Sequence, residues 1–310
     1  VIDEVLSELK KLKNKMLSEE AEQFKKREPL TPISTEELER IEQSQVKIKT
    51  GTLIDEIIGG GIAGGESMLI YGEYACGKTQ TCLTMTVLCP DWVIYIDTEN
   101  SLRMSRIKEI CEARNVDYET VKKKLIVYRP ENWIDQIRVL YSLPSPIDLE
   151  GKVGLIILDS LNKHFRGVEF AGRENLQIKT TLMGDFLTSL KKIAVSHGAA
   201  LVYTAQIFEV PAATPYTSKI DLQKPLGGHK ILHEPTITIF FRKATGNIRI
   251  ATVVDHSGEA LAERPFVINE KGIDILPEEA KAYKRYEKRA KEFEKKQQQE
   301  KIKSKGAGEK

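Results

Sequence analysis

Short, continuously apolar runs recur along the middle of the chain, at 67–71, 92–97, 125–129, 153–159 and 199–204, with helical patterns between them. A strand covered on both faces shows no polar side. Unbroken apolar runs of this length therefore predict buried strands, and intervening helices predict a largely parallel sheet. After Pro235 the rhythm changes. The runs 236–242, 247–255 and 266–269 have no helix between them and predict antiparallel strands extending the sheet. The expected fold class is α/β, a mainly parallel central sheet extended by antiparallel strands, with helical extensions at both ends.

Ahead of this core, Ile2, Val5, Leu9, Leu12 and Met16 recur every three or four places among Lys and Glu. That is the stripe of an amphipathic helix, which packs either on its own core or on a neighbouring subunit. The stretch Glu28-Pro29-Leu30-Thr31-Pro32 ends it, because proline cannot continue a helix and biases the preceding residue to extended backbone. Ser34 stands three places before Glu37, a capping-box spacing that predicts a short helix to about Gln43. After Pro277 the chain is polar nearly throughout, either a solvated helix or disorder. These divisions predict three parts: an N-terminal helix and linker at 1–31, an α/β core at 32–277 and a polar tail at 278–310.

Composition adds little until charge is divided by region. The 310 residues are 41% hydrophobic and 30% charged, enough apolar content for a substantial core. No run of about 18 apolar residues is present, and the first residues mix acid and base, so neither a membrane span nor a signal peptide is expected. Cys76, Cys82, Cys89 and Cys111 lack CxxC or His-partnered spacing, which predicts no disulfide framework or zinc site and a reducing, cytoplasmic setting. The net charge of +2 conceals a tail of 12 Lys/Arg against 7 Asp/Glu. Such an excess suits either a non-specific electrostatic tether for nucleic acid or a solvated helix with no partner.

The strongest local signal is Gly72-Glu73-Tyr74-Ala75-Cys76-Gly77-Lys78-Thr79, a complete GxxxxGK[ST] followed by Gln80. It lies between an apolar strand and a helical run, as a phosphate-binding loop must. Its glycines let backbone N–H groups and a helix N-terminus face phosphate oxygens. Lys78 brings a point charge to the β/γ-phosphates, and Thr79 a hydroxyl ligand for Mg²⁺. Asp159 ends the apolar run from Gly154 at the carboxyl end of a strand, where open α/β sheets bind ligands, and suits the magnesium shell. Asp97 and Glu99 end a second strand at the same edge. Each either caps the next helix or, in the case of Glu99, orients or deprotonates an attacking water. Magnesium-dependent ATP hydrolysis is the reading these residues support.

Several further motifs, in order, resemble the RecA-like recombinases, in the branch of archaeal RadA and its eukaryotic strand-exchange counterparts. They are Ile48-Lys49-Thr50-Gly51, Ile57-Ile58-Gly59-Gly60-Gly61-Ile62, the phosphate loop with Gln80, Tyr95-Ile96-Asp97-Thr98-Glu99, and Ser101-Leu102-Arg103-Met104-Ser105-Arg106. After them come Phe165-Arg166, Phe170-Ala171-Gly172-Arg173, Ala205-Gln206 and Pro225-Leu226-Gly227-Gly228-His229. The resemblance implies a RecA-like P-loop ATPase core, ATP and Mg²⁺ as ligands, and Glu99, Lys78 and Gln206 as catalytic or γ-phosphate-sensing groups. It further implies Arg103 over the base, and His233 and Asp255 near a nucleotide. Two DNA loops would carry Arg166, Arg173, Lys179, Lys219, Lys224, Gly227 and Gly228. The implied partners are single-stranded and double-stranded DNA, further copies of the chain in a filament or ring, and recombination mediator proteins, in a nucleoid-associated setting.

The chain also departs from the family pattern. The usual N-terminal helix-hairpin-helix domain is not recognisable, and the 2–16 helix stands in the N-terminal segment. Pro32-Ile33-Ser34-Thr35-Glu36 occupies the region of the family's aromatic subunit anchor, leaving Ile33 as a small apolar substitute. Ala205 replaces a polar residue before Gln206, and Ala260 a proline. Two functions stay open on these grounds: a strand-exchange recombinase, and an accessory DNA-binding ATPase that does not exchange strands.

Overall fold

The computed structural model describes residues 32–144, 149, 151–166, 174–209, 223–225, 234–255, 259–277, 284 and 288. The predicted 2–16 helix and nearly all of the basic tail lie outside the described residues. The chain divides into two compact units, Val1–Val46 and Lys47–Lys310. In the first, α1 (Thr35–Ser44) begins at the capping-box serine, whose hydroxyl accepts the Glu37 N–H at 3.1 Å.

The second unit opens with Ile48 and Ile62 exchanging backbone hydrogen bonds of 2.8 and 2.9 Å around the short α2 (Ile54–Ile57). The Asp55 carboxylate organises the turn before α2, accepting the N–H and hydroxyl of Thr50 and the N–H of Gly51. The elements that follow are β1 (Ser67–Gly72), α3 (Lys78–Leu88), β2 (Trp92–Asp97), α4 (Met104–Arg114), α5 (Tyr118–Lys123), β3 (Leu125–Tyr128), α6 (Trp133–Ser142) and β4 (Val153–Asp159). A 3₁₀ turn (His164–Arg166) and α7 (Glu174–His197) lead to β5 (Ala200–Glu209), β6 (Gln223–Pro225), β7 (Ile237–Lys243), β8 (Ile248–Val254), β9 (Ala260–Asn269) and β10 (Gly272–Ile275).

The strands run in the order β10-β9-β8-β7-β1-β5-β4-β2-β3, with β6 paired to β5. β1, β2, β3, β4, β5 and β7 are mutually parallel, and β8, β9 and β10 continue the sheet antiparallel. This corrects one expectation. The strand after Pro235 joins the parallel set against β1, and reversal begins only at β8.

Alternation explains the two covered faces. Met68, Ile70, Val93, Tyr95, Leu155, Ile157, Ala200, Val202, Ile239 and Phe241 point to the side of α3 and α4, among Cys82, Leu83, Met85, Ile107, Ile110 and Cys111. The opposite parity, including Leu69, Ile94, Ile156, Leu158, Leu201 and Tyr203, is equally buried, with α7 packed on β4 and β5. Helix α3 is buried from Thr81 through Val87 because the sheet, α4 and β10 surround it. Local sequence sets the ends of the other helices. Asp117 and Asn132 cap α5 and α6 by accepting the N–H of Thr120 and Asp135. Asn115, left-handed at φ 54°, closes α4.

The outer side of β10 is covered. Arg114 donates to the carbonyls of Lys271 and Ile273, and the Thr84 hydroxyl accepts the Ile273 N–H at 3.0 Å. These contacts occupy edge groups that would otherwise template another strand.

Candidate active site

β1 ends and α3 begins within the phosphate-loop motif, so the loop lies at the carboxyl end of the parallel strands. Gly72 has φ 154°, and a Cβ there would stand 2.1 Å from the Phe241 carbonyl of the neighbouring β7. Gly77, at φ 105°, is the N-cap of α3, and no side chain caps that helix end. Ala75 is left-handed at φ 58°, and its carbonyl accepts the Arg249 Nε at 3.2 Å. The Lys78 ammonium donates to the carbonyls of Gly72 and Glu73 at 2.9 and 2.7 Å, folding over the loop it belongs to. Cys76 is buried beneath; burial pushes its thiol pKa up, and the Lys78 charge opposes that. Tyr74 projects at 83% exposure, and Gln80 is fixed by an Arg106 N–H at 2.9 Å.

The Asp159 carboxylate is buried at the end of β4 and collects three hydroxyl donors. Thr79 donates to Oδ2 at 2.7 Å, Tyr95 to Oδ2 at 3.1 Å, and Thr204 to Oδ1 at 2.5 Å. Burial raises the Asp159 pKa above the ordinary carboxylate value, and these three hydrogen bonds act against the rise. A carboxylate this deep holds its charge only by such bonds or by a cation.

Asp97 ends β2 and Glu99 follows two places on, and the two serve different purposes. Asp97 turns inward, accepting the N–H groups of Ser101 and Leu102 at 2.9 and 3.1 Å and the Arg129 Nε at 3.2 Å. It fixes the loop into α4. Glu99 faces the other way, its Oε1 accepting the Ser160 hydroxyl at 2.7 Å and the Gln206 side-chain N–H at 3.1 Å. The Lys163 ammonium stands 3.7 Å from Oε2. The other end of the Gln206 amide accepts an Arg166 N–H, and the Asn162 side-chain amide donates to the Gln206 carbonyl and accepts the Gln206 backbone N–H. Desolvation lowers the Arg166 pKa and Glu99 opposes it; Lys179, lowered by its own burial, also feels the Arg166 charge.

These residues fit a magnesium-bound nucleoside triphosphate. A loop of N–H groups shaped by two glycines meets a Thr79 hydroxyl already 2.7 Å from a buried carboxylate. Among the described residues no cluster of three His, Cys, Asp or Glu could hold a metal unaided. Such a site suits Mg²⁺, which uses few protein ligands and relies on water and phosphate oxygens.

Comparisons with known proteins identify the family. The Rad51 family profile matches residues 41–275. This chain belongs to the Rad51 family. It is 33% identical over 239 residues to the DNA repair protein RAD51 of Mycosarcoma maydis, covering 74% of this chain and 69% of that protein. It is 33% identical over 245 residues to the DNA repair and recombination protein RadA of Aeropyrum pernix, covering 76% and 75%. With the meiotic recombination protein DLH1 of Candida albicans, identity is 34% over 236 residues, covering 73% and 72%. Membership of the Rad51 family agrees with the RecA-like recombinase resemblance of the motifs and with the mainly parallel sheet described above.

The other positions that the resemblance implied lie farther apart. Arg103 is exposed at the N-cap of α4, donating to the carbonyls of Asn100 and Leu102. Asp255, just after β8, accepts the N–H of Glu259, just before β9, at 2.8 Å. Lys224 lies in β6, opposite Phe208. Arg173, Lys219, Gly227, Gly228 and His233 lie outside the described residues. The spacing of motifs did not single out Tyr95, Ser160, Asn162, Lys163, Thr204 or Arg249. Strand parity could have found two of them. Tyr95 and Thr204 are polar-tipped residues in apolar runs, on the parity that brings them to Asp159.

Proposed function

We propose that this chain is an ATP-dependent DNA-binding recombinase, assembling on single-stranded DNA and promoting homologous pairing. One observation carries the reading: Glu99, Gln206 and Arg166 form a continuous hydrogen-bonded chain from the nucleotide side of the sheet to the start of the first loop. Occupancy of either end can therefore bias the other.

In this reading the loop from Gly72 to Thr79, with Gln80, cradles the triphosphate; Thr79 and Asp159 hold Mg²⁺, and Arg103 covers the base. The bound ion supplies charge neutralisation at the phosphate oxygens. Lys78 leaves the carbonyls of Gly72 and Glu73 for the β/γ-phosphates. Glu99 orients the attacking water and takes its proton. The water oxygen bonds to the γ-phosphorus as the bond to the bridging oxygen breaks, and the electron pair leaves with ADP. Gln206 relays the change to Arg166. That arginine, with Arg173, Lys179, Lys219, Lys224, Gly227 and Gly228, holds DNA phosphates of single or double strands. His233 and Asp255 act at the boundary with a further copy in a filament or ring, and mediator proteins load the assembly in the nucleoid. The core at 32–277 carries the chemistry, with 1–31 and 278–310 as accessory segments.

A second reading, an accessory ATPase without strand exchange, is favoured by Pro32-Ile33 in the aromatic anchor's region. Strand exchange between a circular single strand and a homologous duplex, with Mg²⁺ and ATP, separates the two. The recombinase yields joint molecules, whereas the accessory protein binds the single strand and hydrolyses ATP without them. Failure to bind single-stranded DNA in the presence of ATP contradicts both.

A further inference from the structure

Lys163 has no assigned part in the site, yet its ammonium stands over the catalytic carboxylate. It lies between Asp159 and the 3₁₀ turn that contains Arg166, and reaches back to within 3.7 Å of Glu99 Oε2. Oε1 is already taken by Ser160 and Gln206. Oε2 is therefore the oxygen left for a water's proton, and Lys163 occupies the space before it.

We propose that Lys163 is a restraining residue: its ion pair blocks Glu99 in the DNA-free protein, and a DNA phosphate that draws the ammonium away frees the carboxylate. The proposal rests on the reading of Glu99 as general base. Three features make the pair releasable. Lys163 is 47% exposed and Glu99 21%, so the contact is wet and weak rather than locked. Lysine is a compact charge on a flexible stem with three rotatable donors, able to exchange a carboxylate for a phosphate at little geometric cost. Lys163 and Arg166 also belong to one short segment and hold the two ends of the Glu99–Gln206 pair. Phosphates arriving at that segment compete for both cations together. Ser160 and Gln206 remain after release and keep the carboxylate oriented. Basal turnover is thus held down by a contact that the polynucleotide itself removes.

The test is steady-state hydrolysis of Mg²⁺-ATP by the full chain, with and without oligo(dT), for the parent, Lys163→Met, Lys163→Arg and Glu99→Gln. Loss of a half-exposed ion pair predicts that Lys163→Met raises the DNA-free kcat about two- to fivefold with KM unchanged. The rate with DNA stays at the parental value, so the stimulation ratio falls by the same factor. Lys163→Arg keeps the cation and restores the parental ratio. A DNA-free kcat that is unchanged or lower in Lys163→Met overturns the proposal, the lower value marking Lys163 as an assisting cation. Equal rises with and without DNA overturn release by DNA. Glu99→Gln separates the two levels. Parental turnover by that variant overturns the general-base reading itself, whereas an inactive Glu99→Gln beside an unaltered Lys163→Met overturns the restraint alone.

Discussion

Replacing Thr204 by Val removes one hydroxyl from the interior and leaves the side-chain shape almost unchanged, so its effect isolates a single hydrogen bond. Thr204 is the donor to Asp159 Oδ1, whereas Oδ2 has both Thr79 and Tyr95. A hydrogen bond to a charged group contributes about 1.5–3 kcal/mol. Val fills the same volume, so no cavity cost is added. Thr204→Val is therefore expected to destabilise the chain by about 1.5–3 kcal/mol, and Tyr95→Phe by about 1 kcal/mol because Thr79 still serves Oδ2. At the size of this core, the Thr204 loss corresponds to a melting shift of about 3–10 °C. Losing a donor also favours the protonated acid, so the Mg²⁺ concentration for half-maximal ATP hydrolysis should rise in the same order. Urea titrations of both variants in the parent and in an Asp159→Asn background give the coupling energies, because the effect of each lost hydroxyl should shrink once the charge is gone. Changes below about 0.5 kcal/mol for Thr204→Val, or equal effects of the two variants, would refute the reasoning.

Among the described residues the buried Tyr203 hydroxyl has no partner, and an orphaned polar group costs about 1–3 kcal/mol, so Tyr203→Phe should be neutral or stabilising in urea; a clear loss of stability would reveal a bond there. His164 and His197 are both pulled below the ordinary imidazole pKa by burial, each against a hydrogen bond to a proline carbonyl. The unfolded chain therefore takes up these protons first. The stability they contribute is complete above pH about 6.5 and is lost as pH falls from there toward their folded values. The urea midpoint should drop between pH 7.5 and 5.5, less steeply in a His164→Gln, His197→Gln double variant. Burial pushes the thiols of Cys89 and Cys111 up to about 11, which leaves about one thiolate in a thousand at pH 8. Iodoacetamide at that pH should label neither in the native chain and both in urea, as followed by mass spectrometry.

The parallel strands were legible because burial on both faces removes polar residues from the whole run. Ser67–Gly72 and Val153–Asp159 are buried at every position. The direction of β7 was not legible. An apolar run has the same pattern whichever way it points, and the helix that would signal a crossover does not show in the pattern after β5. The phosphate loop was legible as a contiguous string, Asp159 as a carboxylate ending a strand, and Glu99 as a carboxylate just past the end of another. Thr204 and Tyr95 were hidden by their own strand propensity. They read as ordinary strand members until register sets Leu158 beside Tyr203 and Ile157 beside Tyr95. Lys163 looks like any loop lysine, and only the turn after β4 brings it to Glu99. Asp97 and Glu99, ambiguous as a pair, are told apart by which side of the strand end each carboxylate leaves from.

Turnover by Glu99→Gln tests the central claim most directly. The change keeps the side chain's size and removes the base, and a positioned general base contributes about 10²–10⁴ in rate. With Mg²⁺ and single-stranded DNA, the account predicts that this variant binds ATP as the parent does and hydrolyses it at least about a hundredfold more slowly. Hydrolysis at the parental rate, with binding intact, would contradict it.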